Sequence, residues 1–276
     1  MDRPVPPAVA RFRELHAAGC FLLPNPWDAG TARVLASLGF SALATTSAGM
    51  AFARGLPDDV CAVSRDAMLA HVREIVAATS LPVNADFQAG YAGDPEGVAA
   101  NVRLCIATGA AGLSIEDATG ERSAPLYADD EAVERVRAAR AAVDASGIPV
   151  VLTARCEAWL VGAPEPERIA LRRLVAFAEA GADCLYAPGV RDADTIAALV
   201  KAVAPRPLNV LVAAPVPGLS LSRLAELGVR RISVGSALAR VAWSAFLRAA
   251  RALAGGSFDE LASAAPFAEL DRLFRA

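Results

Sequence analysis

The chain has 276 residues, 55% of them hydrophobic and 21% charged, which is enough apolar material for one large α/β domain. The formal net charge is −3 and no basic stripe runs along the chain, so we expect no nucleic-acid partner. Gly, Pro or charged residues interrupt the apolar runs, so we expect no membrane span and no membrane partner.

The first segment, MDRPVPPAVARF, carries an acid and prolines where a secretory signal needs an apolar run. The five cysteines are an odd number and lack metal-ligand spacing, which favours reduced thiols. We therefore expect a cytoplasmic protein that forms a single domain over residues 1–276.

Eight short apolar strands alternate with helical patterns along the chain. The strands lie in CFLLP, SALATT, LPVNAD, GLSIE, PVVLTAR, CLYAP, PLNVLVA and RISVG. The helical patterns cover roughly 29–38, 64–79, 95–108, 130–146, 166–180, 192–203, 219–227 and 237–254. Strands buried on both faces read as continuous apolar runs, and eight β-then-α units predict a closed (β/α)8 TIM barrel. A doubly wound open sheet is the structural alternative.

The C-terminal segment, residues 237–276, is longer than one final helix. Its apolar residues, among them Trp243, Phe246, Phe258 and Phe267, could pack on their own barrel or on a neighbouring subunit. We expect extra C-terminal helices that make oligomer contacts.

Lysine and histidine are scarce. Lys201 is the single lysine, and His16 and His71 are the two histidines, all in helical patterns. A Schiff-base aldolase needs a buried lysine, and a histidine-ligated metal needs several imidazoles close together. Acid–base or metal chemistry must therefore use other side chains, mainly carboxylates.

Polar residues gather at the carboxyl ends of the predicted strands 2 to 5, where a barrel of this class places its active site. They are Thr46, Ser47, Asp86, Glu116 and Arg155, and the small residue Ala48 follows Ser47 in the same turn. Because side chains alternate along a strand, Asp86, Glu116 and Arg155 can point into one barrel mouth. A loop cap at Asp86 and a plain salt bridge between Glu116 and Arg155 are the structural alternatives.

Oxygen ligands with few other charges suit Mg²⁺, with Mn²⁺ a possible substitute, and Arg155 can hold a carboxylate through two hydrogen bonds. The Thr46–Gly49 turn offers hydroxyl and N–H groups. Asp58 either belongs to a turn or reaches the site, and Asn209 in strand 7 is a further substrate-binding candidate. The turn in VGSALAR, after strand 8, is similar to a phosphate-binding turn.

Six segments in this order resemble the isocitrate lyase/phosphoenolpyruvate mutase superfamily over about residues 10–250. They are NPWDAGTARVL, TTSAG, GLPD, VNADFQAGY, SIED and ARCEAW. The resemblance implies a barrel whose eighth helix is swapped between subunits, usually of a tetramer, and a Mg²⁺ site near the acids of strands 3 and 4. It implies that Asp86 and Glu116 are metal-site acids and that Arg155 clamps a carboxylate. It also implies that Thr46, Ser47 and Ala48 bind the substrate, with Asp58 as the acid after that turn.

The sequence departs from the family at two places. Gln88 stands where the family usually carries a second strand 3 acid, so the metal site loses a charge, although an amide oxygen can still hold a metal-bound water. The stretch ATGERSAPLYADD lacks the KKCGH-type segment of isocitrate and methylisocitrate lyases, so we do not expect those two activities.

The resemblance implies a Mg²⁺-dependent lyase that cleaves a C–C bond of a small 2-oxo carboxylic acid through an enolate. Decarboxylation of an oxaloacetate-like acid needs no strong base, which suits a chain poor in His and Lys. Retro-aldol cleavage and phosphonopyruvate or phosphoenolpyruvate-mutase P–C chemistry are the alternatives, and Arg122 is the loop cation that could meet a phosphonate. A non-catalytic 2-oxo acid binder and a phosphosugar enzyme that uses the VGSALAR turn stay open as well.

Overall fold

Among the residues that the computed structural model describes, 4–60 and 62–275, eight parallel strands form a barrel surrounded by helices, which confirms the predicted (β/α)8 class. The strands are β1 (Phe21–Leu23), β2 (Leu43–Ala44), β3 (Val83–Asp86), β4 (Gly112–Glu116), β5 (Val151–Arg155), β6 (Cys184–Tyr186), β7 (Leu208–Leu211) and β8 (Arg231–Ser233). The helices up to β5 are α1 (Pro7–Ala17), α2 (Ala29–Ser37), α3 (Ser47–Ala53), α4 (Arg65–Ala77), α5 (Pro95–Ile106) and α6 (Asp129–Ser146). The later helices are α7 (Pro166–Glu179), α8 (Ala193–Val203), α9 (Leu221–Glu226), α10 (Ala237–Ala254), a 3-10 helix (Asp259–Ser263) and α11 (Phe267–Arg275).

The strands pair in the order β1-β8-β7-β6-β5-β4-β3-β2. A hydrogen bond of 3.0 Å from Ala44 N to Pro24 O joins β2 to the end of β1, so the barrel is nearly closed. The carboxyl ends of all the strands therefore meet around one mouth, as a parallel barrel requires.

Helix α1 covers the opposite end of the barrel, where the strands begin. Its Phe12 is fully buried and meets the rings of His16 and Phe21 edge-on. A Cβ atom added at Gly112 would lie 2.7 Å from Phe12 Cε1, so only glycine lets this ring enter the barrel.

Helix α3 was not predicted from the sequence, because it is short and rich in small residues and was interpreted as a turn. The helical pattern around His16 corresponds to α1. The Thr46 hydroxyl accepts a hydrogen bond of 3.2 Å from Gly49 N, which makes Thr46 the N-cap of α3. The substrate turn of the prediction is therefore the first turn of a helix.

Helix α10 projects from the barrel. Every residue from Arg240 to Arg248 is exposed, including Val241 and Phe246, which are 67% and 61% exposed. On the outer face of β1, Leu22 is also exposed, although a barrel helix would ordinarily cover that position. None of the helices in the described ranges combines the length and apolar character that crossing a bilayer requires.

Candidate active site

Arg155, the last residue of β5, lies at the centre of a cluster of carboxylates. Its Nη1 is 2.7 Å from Asp86 Oδ1, its Nη2 is 3.2 Å from Glu116 Oε2, and its Nε is 2.9 Å from Glu157 Oε1. The parallel register produces this meeting, because it places Glu116 beside Arg155 on neighbouring strands. The structure thus brings together Asp86, Glu116 and Arg155, as expected from the sequence.

Glu157 belongs to this cluster and was not predicted as a site residue. It is 4% exposed, and its backbone N–H donates to Asp117 Oδ1 over 2.8 Å. Its spacing of two residues after Arg155 is the signal that could have revealed it, because side chains two apart share a face in an extended chain.

Burial raises the pKa of Glu116 well above its ordinary value, an effect that Arg155 opposes and that Glu157, Asp86 and Asp117 reinforce. Burial likewise raises the pKa of Glu157, again against the influence of Arg155. One guanidinium therefore faces more negative charge than it can neutralise, so the cluster favours either a bound proton or a further cation.

Asp86 also receives a hydrogen bond of 2.9 Å from the backbone N–H of Ser47, in the first turn of α3. The Ser47 side chain hydrogen-bonds to Asp58, which places Asp58 at the rim of the same site. The pKa of Asp58 is raised by partial burial and by the neighbouring charge of Asp86. Asp58 is exposed on its loop, yet it lines the mouth of the site.

A cavity of about 150 Å³ opens beside Arg155 inside the barrel mouth. Its walls include Thr46, Ser47, Ala48, Asp58, Asp86, Arg155 and Asn209, all of them site residues expected from the sequence. Glu116 and Gln88 do not line it, although Glu116 contacts Arg155 directly. The cavity is open towards the barrel mouth and has the size expected for a small-molecule ligand.

The residues fit the divalent cation that the family resemblance implies. Gln88 Oε1 is buried and has no hydrogen-bond partner among the described residues, so it can accept from a water. Asp86, Glu116 and Glu157 together outweigh the single positive charge of Arg155. Within residues 4–60 and 62–275 no three acids are already arranged around a common point, because Arg155 lies between them.

A second buried ion pair, between Arg173 and Asp117, lies next to the carboxylate cluster and stabilises it. Arg173 Nη1 is 2.7 Å from Asp117 Oδ2, and both side chains are less than a tenth exposed. Because Asp117 also accepts from the Glu157 N–H, this pair fixes the chain just after β5. Arg173 is further bonded to Asp129 and to the Tyr127 carbonyl, which ties α7 to the loop after β4.

Arg173→Met is expected to lower the melting temperature by at least about 6 °C, because it leaves the Asp117 carboxylate buried and unpaired at a cost of about 3–5 kcal/mol. Arg172→Met is the matched control. It removes a 2.7 Å pair with Asp129 whose partners are both about half exposed, and a shift under about 3 °C is expected. Equal shifts in scanning calorimetry would contradict the role given to Arg173.

Glu116→Gln is expected to raise the melting temperature of the metal-free protein at neutral pH and to lower turnover about tenfold. Folding raises the pKa of Glu116. The ionised carboxylate therefore destabilises the fold at pH values above the ordinary pKa of a glutamate, and this destabilisation is lost as the pH falls. The gain should therefore disappear as the pH falls below 4.5. Glu14→Gln, on an exposed face of α1, is the control, and equal gains in both variants would refute this assignment.

A group of polar residues deeper in the barrel was not predicted as a whole. Arg231 of β8 donates from Nε to Asn209 Oδ1 over 2.8 Å and from Nη2 to Thr153 Oγ1 over 3.0 Å. Its Nη1 lies 3.2 Å from His16 Nε2. Asn209 was expected to bind substrate directly, and in the structure it both lines the cavity and holds Arg231.

Asp28, Cys156 and the VGSALAR turn have ordinary structural roles near the strand ends. Asp28 caps α2 through a reciprocal pair with Thr31. Burial raises the pKa of the Cys156 thiol, as expected for a packed cysteine. In the VGSALAR turn, the N–H groups of Val234 and Gly235 both donate to Asn25 Oδ1, which leaves fewer donors for a phosphate.

The fold and site together define a class: a (β/α)8 barrel enzyme with an acid–arginine cluster at its mouth. The family model for phosphoenolpyruvate phosphomutase matches residues 12–254. A solved structure of a Burkholderia cenocepacia protein described as a lyase or mutase is 50% identical, with a TM-score of 0.92 over 98% of this chain and 96% of that one.

Two further relatives are similar to this chain over nearly its whole length. A Mycobacterium tuberculosis protein described as uncharacterized is 33% identical over 94% of both chains. An oxaloacetate decarboxylase of Rhodopseudomonas palustris is 30% identical over 95% of this chain and 90% of its own length. The chain therefore belongs to the isocitrate lyase/phosphoenolpyruvate mutase superfamily of lyases and mutases, as its motifs indicate.

Proposed function

We propose that the protein is a Mg²⁺-dependent lyase that cleaves a C–C bond of a small 2-oxo carboxylic acid through an enolate. The observation that carries the proposal is the carboxylate cluster around Arg155 beside a cavity of about 150 Å³. The similarity to an oxaloacetate decarboxylase over nearly the whole chain supports this chemistry. The reaction we favour is the decarboxylation of an oxaloacetate-like acid.

Asp86 and Glu116 would hold the cation, with Asp58 and Gln88 binding its waters, because the surplus negative charge lies there. Mg²⁺ takes oxygen ligands and keeps several waters, and Mn²⁺ can occupy similar sites. When bound, the cation acts as a Lewis acid that withdraws charge from the oxo group of the substrate.

Arg155 and the first turn of α3 would orient the substrate. The Ser47 N–H already donates to Asp86 and the Gly49 N–H to Thr46, which leaves the Ala48 N–H at the cavity wall for a substrate oxygen. As Asp86 and Glu116 turn to a cation, Arg155 becomes free to bind the substrate carboxylate through two hydrogen bonds.

In decarboxylation the bond between C3 and C4 breaks, CO₂ leaves, and the electron pair moves onto the oxo oxygen as an enolate. Fixed donors at the place where this charge develops lower the barrier. C3 then takes a proton, and Asp58, with its raised pKa at the rim of the site, is the residue we assign to supply it. Retro-aldol cleavage would also need a base for the substrate hydroxyl, so we rank it after decarboxylation among the C–C cleavage reactions.

One observation supports P–C bond chemistry as the alternative to C–C bond cleavage. The sequence offered Arg122 as a cation for a phosphonate, whereas in the structure Arg231 lines the cavity itself. Phosphonopyruvate hydrolysis or phosphoenolpyruvate-mutase chemistry would therefore find a cation in the wall of the cavity.

The direct test is a substrate panel assayed with Mg²⁺ and with EDTA. It contains oxaloacetate, 2-oxoglutarate, phosphonopyruvate, 2-methylisocitrate and dimethylmalate, on the native chain and on Asp86→Ala. We expect Mg²⁺-dependent release of pyruvate from oxaloacetate. Turnover of phosphonopyruvate alone would select the P–C alternative, and tight binding without turnover would select a non-catalytic 2-oxo acid binder.

We further propose that the chain is a homo-oligomer, a dimer or tetramer, in which α10 packs on the barrel of a neighbouring subunit. Val241, Trp243, Phe246 and Leu247 of α10 are exposed, and Leu22 on β1 is exposed as well. A partner's α10 laid over that face would bury both surfaces, and exposed apolar patches of this kind mark interaction sites.

Phe246→Asp is expected to convert the oligomer to monomers, because it places a charge in the buried face of the swapped helix. Ser244→Asp adds the same charge two residues away among the polar residues of α10 and should leave the mass unchanged. Light scattering after size-exclusion chromatography measures both. A native chain that elutes as a monomer would refute the proposal.

We also propose the cytoplasm as the place of action. Cys20, Cys105, Cys156 and Cys184 are free thiols in the structure. Reduced cysteines are typical of proteins in a reducing compartment.

A further inference from the structure

Arg231 is a buried charge without a buried counter-charge. It is 2% exposed, points into the barrel from β8, and makes its three side-chain contacts to Asn209, Thr153 and His16. No carboxylate in residues 4–60 and 62–275 forms an ion pair with it, whereas Arg155 and Arg173 each contact acids. Its environment therefore differs from that of the other buried arginines at the site.

His16 is neutral and fixed in one tautomer. Its Nδ1 lies 2.7 Å from the Phe12 carbonyl and must donate to it, so Nε2 carries the lone pair that accepts from Arg231. Burial and the charge of Arg231 lower the pKa of His16 to about 3. All three partners thus hold the guanidinium in place without neutralising it.

Arg231 also belongs to the wall of the cavity of the proposed active site. Arg231, Asn209 and Ser233 line that cavity together with Asp86 and Arg155. Three of the five guanidinium N–H groups are used by the protein contacts, which leaves two for a ligand. A buried charge without a partner is costly, so an anion that enters the cavity gains both hydrogen bonds and charge neutralisation.

We infer that Arg231, held by Asn209, Thr153 and His16, binds the second anionic group of a dianionic 2-oxo acid. The inference rests on the proposed function, in which the first carboxylate and the oxo group lie at the Arg155 side of the cavity. The small cavity at the barrel mouth suits a short acid whose two charges are separated by one or two carbons. The second group is a carboxylate or a phosphonate, since a guanidinium pairs with both.

Three ligands that share one carbon skeleton test this subsite. Pyruvate carries hydrogen at C3, oxaloacetate carries a carboxylate and phosphonopyruvate a phosphonate. Their affinities are measured in the presence of Mg²⁺ by stopped-flow tryptophan fluorescence, before turnover. We expect the native chain to bind at least one dianion about tenfold or more tightly than pyruvate, the scale of a charged hydrogen bond. The dianion that is preferred identifies the second group.

Arg231→Gln is expected to weaken binding of the preferred dianion at least about tenfold and of pyruvate less than about threefold. Asn209→Asp is the second variant and keeps the shape of the side chain. It places a carboxylate at the 2.8 Å contact with Arg231 Nε and so supplies an internal counter-charge. Asn209→Asp should lose the preference for the dianion while its melting temperature stays at or above that of the native chain.

The outcomes separate the two proposals. If the native chain binds pyruvate and both dianions equally, and Asn209→Asp changes nothing, Arg231 has a purely structural role and the inference is wrong, while the proposed function stands. If the native chain binds none of the three ligands, the proposed function fails and the inference fails with it.

Discussion

Arg155→Gln is expected to reduce turnover by at least about 100-fold and to lower the melting temperature of the metal-free protein by about 6 °C or more. The substitution leaves three carboxylates, Asp86, Glu116 and Glu157, facing one another without a cation, and breaking a buried pair costs about 3–5 kcal/mol. It also removes the group that we propose to clamp the substrate carboxylate. Steady-state kinetics and scanning calorimetry measure the two effects.

Added Mg²⁺ should restore part of the lost stability of Arg155→Gln but none of its turnover, because the cation can balance the acids and cannot replace the clamp. Arg168→Gln is the matched control, since its pair with Glu165 is mostly exposed, and it should behave like the native chain. Normal turnover in Arg155→Gln would remove Arg155 from the mechanism.

Asp86→Asn is expected to lower turnover by at least about 100-fold while the fold is retained. The amide has the shape of the carboxylate and can still accept from the Ser47 N–H, but it lacks the charge that we assign to cation binding. The concentration of Mg²⁺ needed for half-maximal activity should rise by at least about tenfold. Asp130→Asn, on an exposed part of α6, is the control. Full activity of Asp86→Asn at limiting Mg²⁺ would contradict the role of Asp86.

Most of the fold could be predicted from the sequence because its signals are local. All eight strands lie inside the predicted segments, and the predicted helices match to within about three residues at each end. The periodic apolar runs and the glycines between helix and strand carry that information. The packing of α10 could not be predicted, because its apolar face looks the same whether it covers its own barrel or a partner's.

The mouth of the site could also be predicted, since Asp86, Glu116 and Arg155 end neighbouring strands and parallel pairing must bring them together. The contacts of Arg231 deeper in the barrel could not be predicted. Arg231 and His16 are 215 residues apart and meet only because α1 covers the end of the barrel opposite the mouth. No periodicity in the sequence records a contact of that kind, and an arginine in a short strand suggests an edge rather than a barrel interior.

Glu157 and Gln88 show why chemical roles are harder to predict than positions. Glu157 lies two residues after Arg155, so the alternation of side chains in a strand places both on one face. In the sequence, however, Glu157 looks like the first residue of a loop. Gln88 was expected near the cation from the family pattern alone. The structure adds that its Oε1 is buried and unpartnered among the described residues, which gives that expectation a physical reason.

Binding of oxalate tests the central claim most directly, because oxalate is a planar dianion with the charge and shape of a pyruvate enolate. Calorimetric titrations of the native chain and Asp86→Asn, each with Mg²⁺ and with EDTA, give the affinities without any turnover. We predict that the native chain binds oxalate with Mg²⁺ at least about 100-fold more tightly than in any of the other three titrations. Equal affinities in all four would contradict a cation held by the strand 3 and strand 4 acids.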